Sequence, residues 1–220
     1  EGAVGELPTV NVQDSANPEV TEGSGRYTPR VTSSATRLDL TLRETPQAVQ
    51  VLTQQQLQDR GATNLRQAME GAVGITVSND TARPGFTARG FSVSNILIDG
   101  TPMLPVYQAT PGVQGDGMVA YDRIEIVRGA NGVVTGSGDP SATINMVRKR
   151  PTRRFQASVQ AGVGSWGNWL TQADLSGPLM WQGRVRGRIA LSKGDGDSYL
   201  DHKGRDTQAL FATLETDLTP

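Results

Sequence analysis

The stretch that decides the fold is YDRIEIVRGANGVVTGSGDPSATINMVRKRPT, residues Tyr121 to Thr152. Arg123-Ile124-Glu125-Ile126-Val127-Arg128 alternates polar and apolar side chains, the pattern of a half-buried strand. Gly129 to Pro140 is crowded with glycine, aspartate and proline, so the backbone must turn tightly and more than once. Thr143 to Val147 reads as a second short strand, and Arg148 to Arg154 closes the segment with a basic run.

Working outward on the N-terminal side, Ala48-Val49-Gln50-Val51-Leu52 predicts a strand after Pro46. Thr53 opens a helix with Gln56 three residues on, a capping-box arrangement, and Gly61 ends it. A shorter helix is expected from about Asn64 to Glu70 with Thr63 as its cap, after which Gly74-Ile75-Thr76-Val77 resumes the sheet. Further back, Leu38, Leu40 and Leu42 alternate with Arg37, Asp39 and Thr41 in strand fashion. Residues 1–29 show little periodicity and should form a mobile tail, with one extended-favouring island, Glu6-Leu7-Pro8-Thr9-Val10-Asn11-Val12.

On the C-terminal side the texture changes to long alternating strands. Phe155, Ala157, Val159, Ala161 and Val163 share one face; Trp169, Thr171, Ala173 and Leu175 form another such series before a turn at Gly177-Pro178-Leu179. Val185, Gly187, Ile189 and Leu191 alternate with Arg184, Arg186 and Arg188, and Leu210, Ala212, Leu214 and Leu218 with Phe211, Thr213, Glu215 and Asp217. One apolar and one polar face per strand, with Trp166, Trp169 and Trp181 nearby, fits a lipid-facing barrel wall. A soluble β-sandwich would alternate in the same way, and periodicity alone favours it as the commoner architecture.

Composition narrows the field. Of 220 residues, 36% are hydrophobic and 26 are glycine, which suits a β-rich, loop-rich chain. A net charge of −1 gives no overall attraction to nucleic acid, and zero cysteines exclude disulfides and thiolate metal sites. No run approaches the ~18 apolar residues of a transmembrane helix, which leaves barrel strands open.

Enzymatic chemistry finds little footing. The lone histidine, His202, sits in a polar loop, and neither a Ser-His-Asp order nor a paired-carboxylate motif stands out. Asp195-Gly196-Asp197 with Asp201 lacks the glutamate and spacing of an EF-hand, and Gly129 to Gly138 lacks the GK[ST] ending of a phosphate loop. The basic run at 148–154 reads as a solvated junction rather than a nucleic-acid patch.

Taken in order, RIEIVRG, SGDPSATIN and RKRPT resemble the end of the plug domain of TonB-dependent outer-membrane receptors, closest to those for ferric siderophores. TPQAVQVLT at 45–53 and NILIDGTP at 95–102 resemble its first half and its central strand and turn. The resemblance covers most of the chain from Thr36 onward. It implies an α+β plug, a mixed small sheet with short helices, followed by the first antiparallel strands of a transmembrane β-barrel. The expected divisions are a periplasmic tail at 1–29, a plug at 30–152 and barrel strands at 153–220, the front part of a longer receptor.

The resemblance also implies roles. Glu6, Leu7, Pro8, Thr9, Val10, Asn11 and Val12 look like the TonB box, the segment that engages TonB and, through it, ExbB–ExbD. Pairing such a heptad into a partner sheet gains roughly 6 hydrogen bonds at ~1 kcal/mol each, which ordering nearly cancels at ~1 kcal/mol per residue. A reversible contact follows. Arg89, in TARGF, matches the arginine of the family's R-G-F motif and either touches an iron chelate or closes an internal salt bridge. Tyr107 and Gln114, in the next apical loop, are further ligand candidates. Arg123, Glu125 and Arg128 are expected to pair with the barrel wall, mostly with residues beyond this stretch of sequence, and Arg184, Arg186 and Arg188 are candidates to face the lumen and pair with plug carboxylates. Iron would arrive inside a hydroxamate-type or pyoverdine-type siderophore, with no protein cofactor; haem, cobalamin or carbohydrate are the other cargoes the family allows. The expected location is the outer membrane, in contact with its lipid.

Overall fold

The computed structural model describes residues 18–78, 85–103, 117–129, 132, 140–197 and 204–218. In chain order the elements are β1 (Ala48–Leu52), α1 (Gln54–Asp59), α2 (Leu65–Glu70), β2 (Thr76–Ser78), β3 (Gly85–Ala88), β4 (Phe91–Ser92), β5 (Asn95–Ile98), β6 (Thr101–Pro102), β7 (Tyr121–Arg128) and β8 (Ala142–Arg148). Four strands follow: β9 (Gln156–Val163), β10 (Trp169–Met180), β11 (Val185–Gly196) and β12 (Arg205–Thr216).

β7 and β8 lie inside a five-stranded sheet ordered β1-β7-β8-β5-β6, in which the β5–β8 pairing is parallel. β2, β3 and β4 make a separate small sheet, so the Thr76–Ser78 strand opens a second sheet instead of resuming the first. The capping box at Thr53 and Gln56 forms as the sequence predicts, and Gly61 leaves the helix at φ 62°. α2 is capped by Asn64, whose side chain accepts from the Gln67 N–H; Thr63 instead donates its own N–H to the Gln67 side chain. Ile124, Ile126, Ile144 and Met146 share one buried core with Leu52, Leu57, Leu65 and Met69.

Charge pairing explains why β7 is almost fully buried, where its alternation predicts a half-buried strand. Arg123 donates to Glu125 at 2.6 Å and to Asp122 at 3.1 Å, and Glu125 accepts from the Thr32 hydroxyl and the Ser34 N–H. Charges thus satisfy one another beneath a cover of N-terminal chain. Burial alone would lower the Arg123 pKa, but the Glu125 and Asp122 carboxylates raise it. These contacts correct the expectation that Arg123 and Glu125 reach the barrel wall: they lock this N-terminal body internally. Arg128 donates to the Val73 carbonyl.

Two further expectations change. Residues 37–42 form no strand; Thr32 and Leu40 make a single bridge, Arg37 sits at φ 60° and Leu38 is exposed. The left-handed backbone at Arg37 breaks the extended run before a ladder can build. The tail expected to run to Pro29 is anchored by Thr21, which is 3% exposed and bonded to Asp122.

β9 to β12 form one antiparallel sheet in the order β12-β11-β10-β9. β10 runs on to Met180 through the Gly177-Pro178-Leu179 stretch expected to turn, and the chain reverses at Trp181–Gly183. Register gathers the apolar series onto one face: Leu175 pairs with Ala157 and Ile189, and Ile189 with Ala212. Val159, Leu191, Leu210 and Leu214 on this face are exposed. A strand of 12 residues spans about 40 Å, enough to cross a hydrocarbon core of ~30 Å at ~40° tilt. The opposite face carries Asp174, Ser176, Arg186 and Arg188, all buried. No helix among the described residues is long and apolar enough to cross a membrane.

Ile144, 0% exposed within the core, tests this arrangement. Ile144→Ala is expected to destabilise this body by about 2–5 kcal/mol, read as a lowered denaturation midpoint.

Candidate functional site

Two sites are built at opposite ends of β7. Its Tyr121 end pairs with Arg148, just before the chain passes into β9, whereas its Arg128 end pairs with Ala142 at the start of β8.

The Arg89 turn belongs to the second of these ends. It joins β3 to β4 through Arg89-Gly90, with φ of 54° and 84°. Positive φ at both residues makes this a type I′ hairpin, whose twist suits the flanking strands. The Arg89 guanidinium lies against Gly129, where an added Cβ would fall 2.8 Å from its Nη1. Glycine there, at φ 99°, makes room for the close approach. Arg89 is exposed and closes no salt bridge with another described residue. Tyr107 and Gln114, the TonB-box residues Glu6 to Val12, and His202 lie outside the described residues.

At the Tyr121 end, Arg188 of β11 binds three separate pieces of chain. Its Nη atoms donate to both Glu22 oxygens at 2.6 and 2.5 Å; its Nε and Nη2 donate to Asp174 of β10 at 2.9 and 2.5 Å; its Nη1 also donates to the Arg150 carbonyl at 2.9 Å. Lys149 completes the cluster, donating to Asp174 at 2.8 Å and lying 3.8 Å from Glu22. Two cations thus meet two carboxylates, which is how charge can be held with the Arg188 side chain only 2% exposed. Asp122 orients the segment by accepting the Thr21 and Glu22 N–H groups, and Thr152 donates to Ser176 at 2.8 Å.

A second set lies nearer the sheet end. Arg186 donates to Asp217 at 2.7 and 2.9 Å, and Arg150 to Glu215 at 2.8 Å. Arg186 and Arg188 face inward as the alternation predicts, but Arg184 does not. It is exposed in the turn before β11, where the strand pattern has not yet begun.

A family model of the TonB-dependent receptor plug domain matches residues 41–143. The chain is also 43% identical over 217 residues to the ferric-pyoverdine 358 receptor of Pseudomonas putida, covering 97% of this chain and 26% of that one. The chain belongs to the TonB-dependent receptors. Among solved receptors of this family, the P. aeruginosa FpvA bound to a heterologous pyoverdine superposes with a TM-score of 0.87 at 44% identity, over 91% of this chain and 27% of that one. The alcaligin outer-membrane receptor FauA of Bordetella pertussis gives a TM-score of 0.82 at 40% identity, over 92% and 35%. The chain therefore spans about a quarter of the length of the curated relatives it matches. In receptor terms, the two N-terminal sheets and helices are plug, and β9–β12 are strands of the barrel wall.

Glu22, Asp122, Lys149 and Asp174 join plug to wall in this receptor, and no motif in the sequence assigns them that task. Asp174 carries a usable signal: a carboxylate on the polar face of a wall strand, between Gln172 and Ser176. Glu22 carries none, since nothing local distinguishes it from Glu19 or Glu6. Among the described residues no cluster of three or more metal-ligating side chains occurs, and Asp195 and Asp197 form no such group.

Arg188→Met would leave Glu22 and Asp174 buried with Lys149 alone. The expected loss is about 3–5 kcal/mol in the full-length receptor, measured by the midpoint of its heat-modifiable gel shift. Arg188→Lys keeps the charge without the fork and should fall between wild type and the methionine variant.

Proposed function

We propose that this chain is the plug and first wall strands of an outer-membrane receptor that takes up a ferric siderophore and is energised through TonB. The observation that carries the reading is the pairing of a plug sheet with long strands whose polar face grips it and whose apolar face is exposed. The likeness to ferric-pyoverdine receptors supports a hydroxamate-type or pyoverdine-type chelate as cargo. The relatives it matches are receptors, and binding followed by passage is the chemistry proposed.

In this reading residues 1–29 contain the periplasmic coupling segment, 30–152 are plug and 153–220 are wall. The chelate docks at the Arg89 end, where a guanidinium fork can donate to its oxygens, with Tyr107 and Gln114 as further contacts. Iron stays inside the chelate throughout. At the other end, Glu6 to Val12 pair with TonB, backed by ExbB–ExbD. Tension drawn through this heptad reaches Thr21 and Glu22 before any strand of the plug, because these residues bond firmly near the start of the described chain. Releasing Glu22 uncovers Arg188 and Lys149 and loosens the plug from the wall.

The test is uptake by a receptor-deficient strain expressing the full-length protein, with labelled ferric chelates, haem and cobalamin. At least one hydroxamate or pyoverdine chelate should bind and enter. Val10→Pro should abolish uptake with binding intact, because proline removes a ladder hydrogen bond. Arg89→Ala should weaken binding about tenfold or more, from loss of a charge-assisted hydrogen bond worth about 1.5–3 kcal/mol. Binding of haem or cobalamin with no ferric siderophore bound would refute the proposal.

A further inference from the structure

The rim of the wall sheet on the plug-junction side carries a group of arginines that the plug does not use. We propose that Arg153, Arg154 and Arg184, with Trp181, form a binding site for anionic phospholipid headgroups of the periplasmic leaflet. This rests on the membrane placement argued above and adds a ligand at a different surface.

The outer face of the sheet approaches this rim as a continuous apolar band. Phe155 lies over Gly177, where an added Cβ would fall 3.0 Å from the Phe155 backbone. Leu179 and Leu214 close over Gly187, at 2.7 and 3.2 Å from the corresponding position. Two glycines therefore let these side chains lie flat, and Phe155, Leu179 and Leu214 remain exposed to whatever surrounds the sheet. The band ends at the Trp181–Gly183 turn, where Trp181 sits at φ 53° and is 69% exposed. Indole at the margin of an apolar band marks the depth of the headgroups.

Charge then selects among headgroups. Arg153, Arg154 and Arg184 are all exposed, and their guanidinium groups make no ion pair within 4.0 Å of a described carboxylate. The carboxylates at this end are already engaged: Asp217 holds Arg186 through both oxygens, and Glu215 holds Arg150 and Arg186. Arg153 and Arg184 also act on Asp217 through space, but among the described residues of this rim five arginines face only the two carboxylates Glu215 and Asp217, so positive charge is in excess. Among the described residues the opposite end of the sheet has the reverse bias, with Asp195, Asp197 and Asp206 against Lys193 and Arg205. Excess cation at one end only, next to an interfacial tryptophan, complements a phosphate-rich anionic surface rather than a zwitterionic one. The proposed coupling segment enters at this same end through Glu22, which puts the rim on the periplasmic side.

The full-length receptor, delipidated in mild detergent, is offered phosphatidylglycerol, phosphatidylethanolamine and lipid A at equal concentration, and retained lipid is read by native mass spectrometry. Phosphatidylglycerol should be retained several-fold over phosphatidylethanolamine, and the preference should fall with added salt. Each guanidinium near an anionic surface contributes roughly fivefold, so Arg153→Gln, Arg154→Gln and Arg184→Gln together should lower retention by at least about tenfold. Arg205→Gln at the far end should leave it unchanged. Equal retention of both phospholipids by the wild-type receptor overturns the inference whether or not the triple variant folds, as does preference for lipid A. Heat-modifiable migration and siderophore binding are measured on the same samples: their failure sinks the receptor reading, whereas their success without lipid preference sinks this one alone.

Discussion

The fork of Arg188 is the constraint on which the arrangement of plug and wall depends. One guanidinium, nearly removed from water, holds the N-terminal segment at Glu22, the wall strand β10 at Asp174 and the junction backbone at Arg150. A buried cation tolerates this only when its carboxylates and geometry match, and a fork supplies several directed bonds where an ammonium supplies a point charge. Lys149 balances the second carboxylate, so the cluster is neutral. Remove one member and the others are left charged in a dry setting, which makes the joint strong when intact and brittle when opened.

That property matters because the joint sits where the chain enters from its N-terminal segment. Inside the plug, Arg123 and Glu125 repeat the same chemistry without touching the wall, covered by Thr32 and Ser34. Two layers of charge pairing therefore divide the labour. The inner layer makes β7 a rigid spine, and the outer layer attaches this spine to the strands around it. The Arg89 hairpin lies at the far end of the spine, about 26 Å away by the length of an eight-residue strand. A body with a rigid core, an exposed donor at one end and a chain-bound ionic joint at the other is suited to having its two ends act in different compartments.

The wall strands express the complementary rule. Their outward side chains are apolar and exposed, while inward ones of β10 and β11 bond to the plug, and β9 is exposed on both faces. The four described strands are too few to close a barrel, which takes at least ~8, so in the proposed receptor this sheet is one sector of the wall. The surplus of arginine at one rim and aspartate at the other gives that sector a polarity along the membrane normal.

Local chemistry determined much of this in advance. The period of two in β7 and β9–β12, the capping box at Thr53, the Gly61 terminator and the loop-rich composition were all legible, because each depends on neighbours within a few residues. The family motifs between Tyr121 and Thr152 were legible for the same reason. What the tertiary structure alone decided is which charges meet. Arg123 and Glu125 turned to each other instead of the wall, Glu22 left an otherwise featureless segment to join Arg188 across 166 positions, and Leu38 failed to find a strand to pair with. Electrostatic partners are set by distance in space and by exclusion of water, and neither is written in the spacing of residues along the chain.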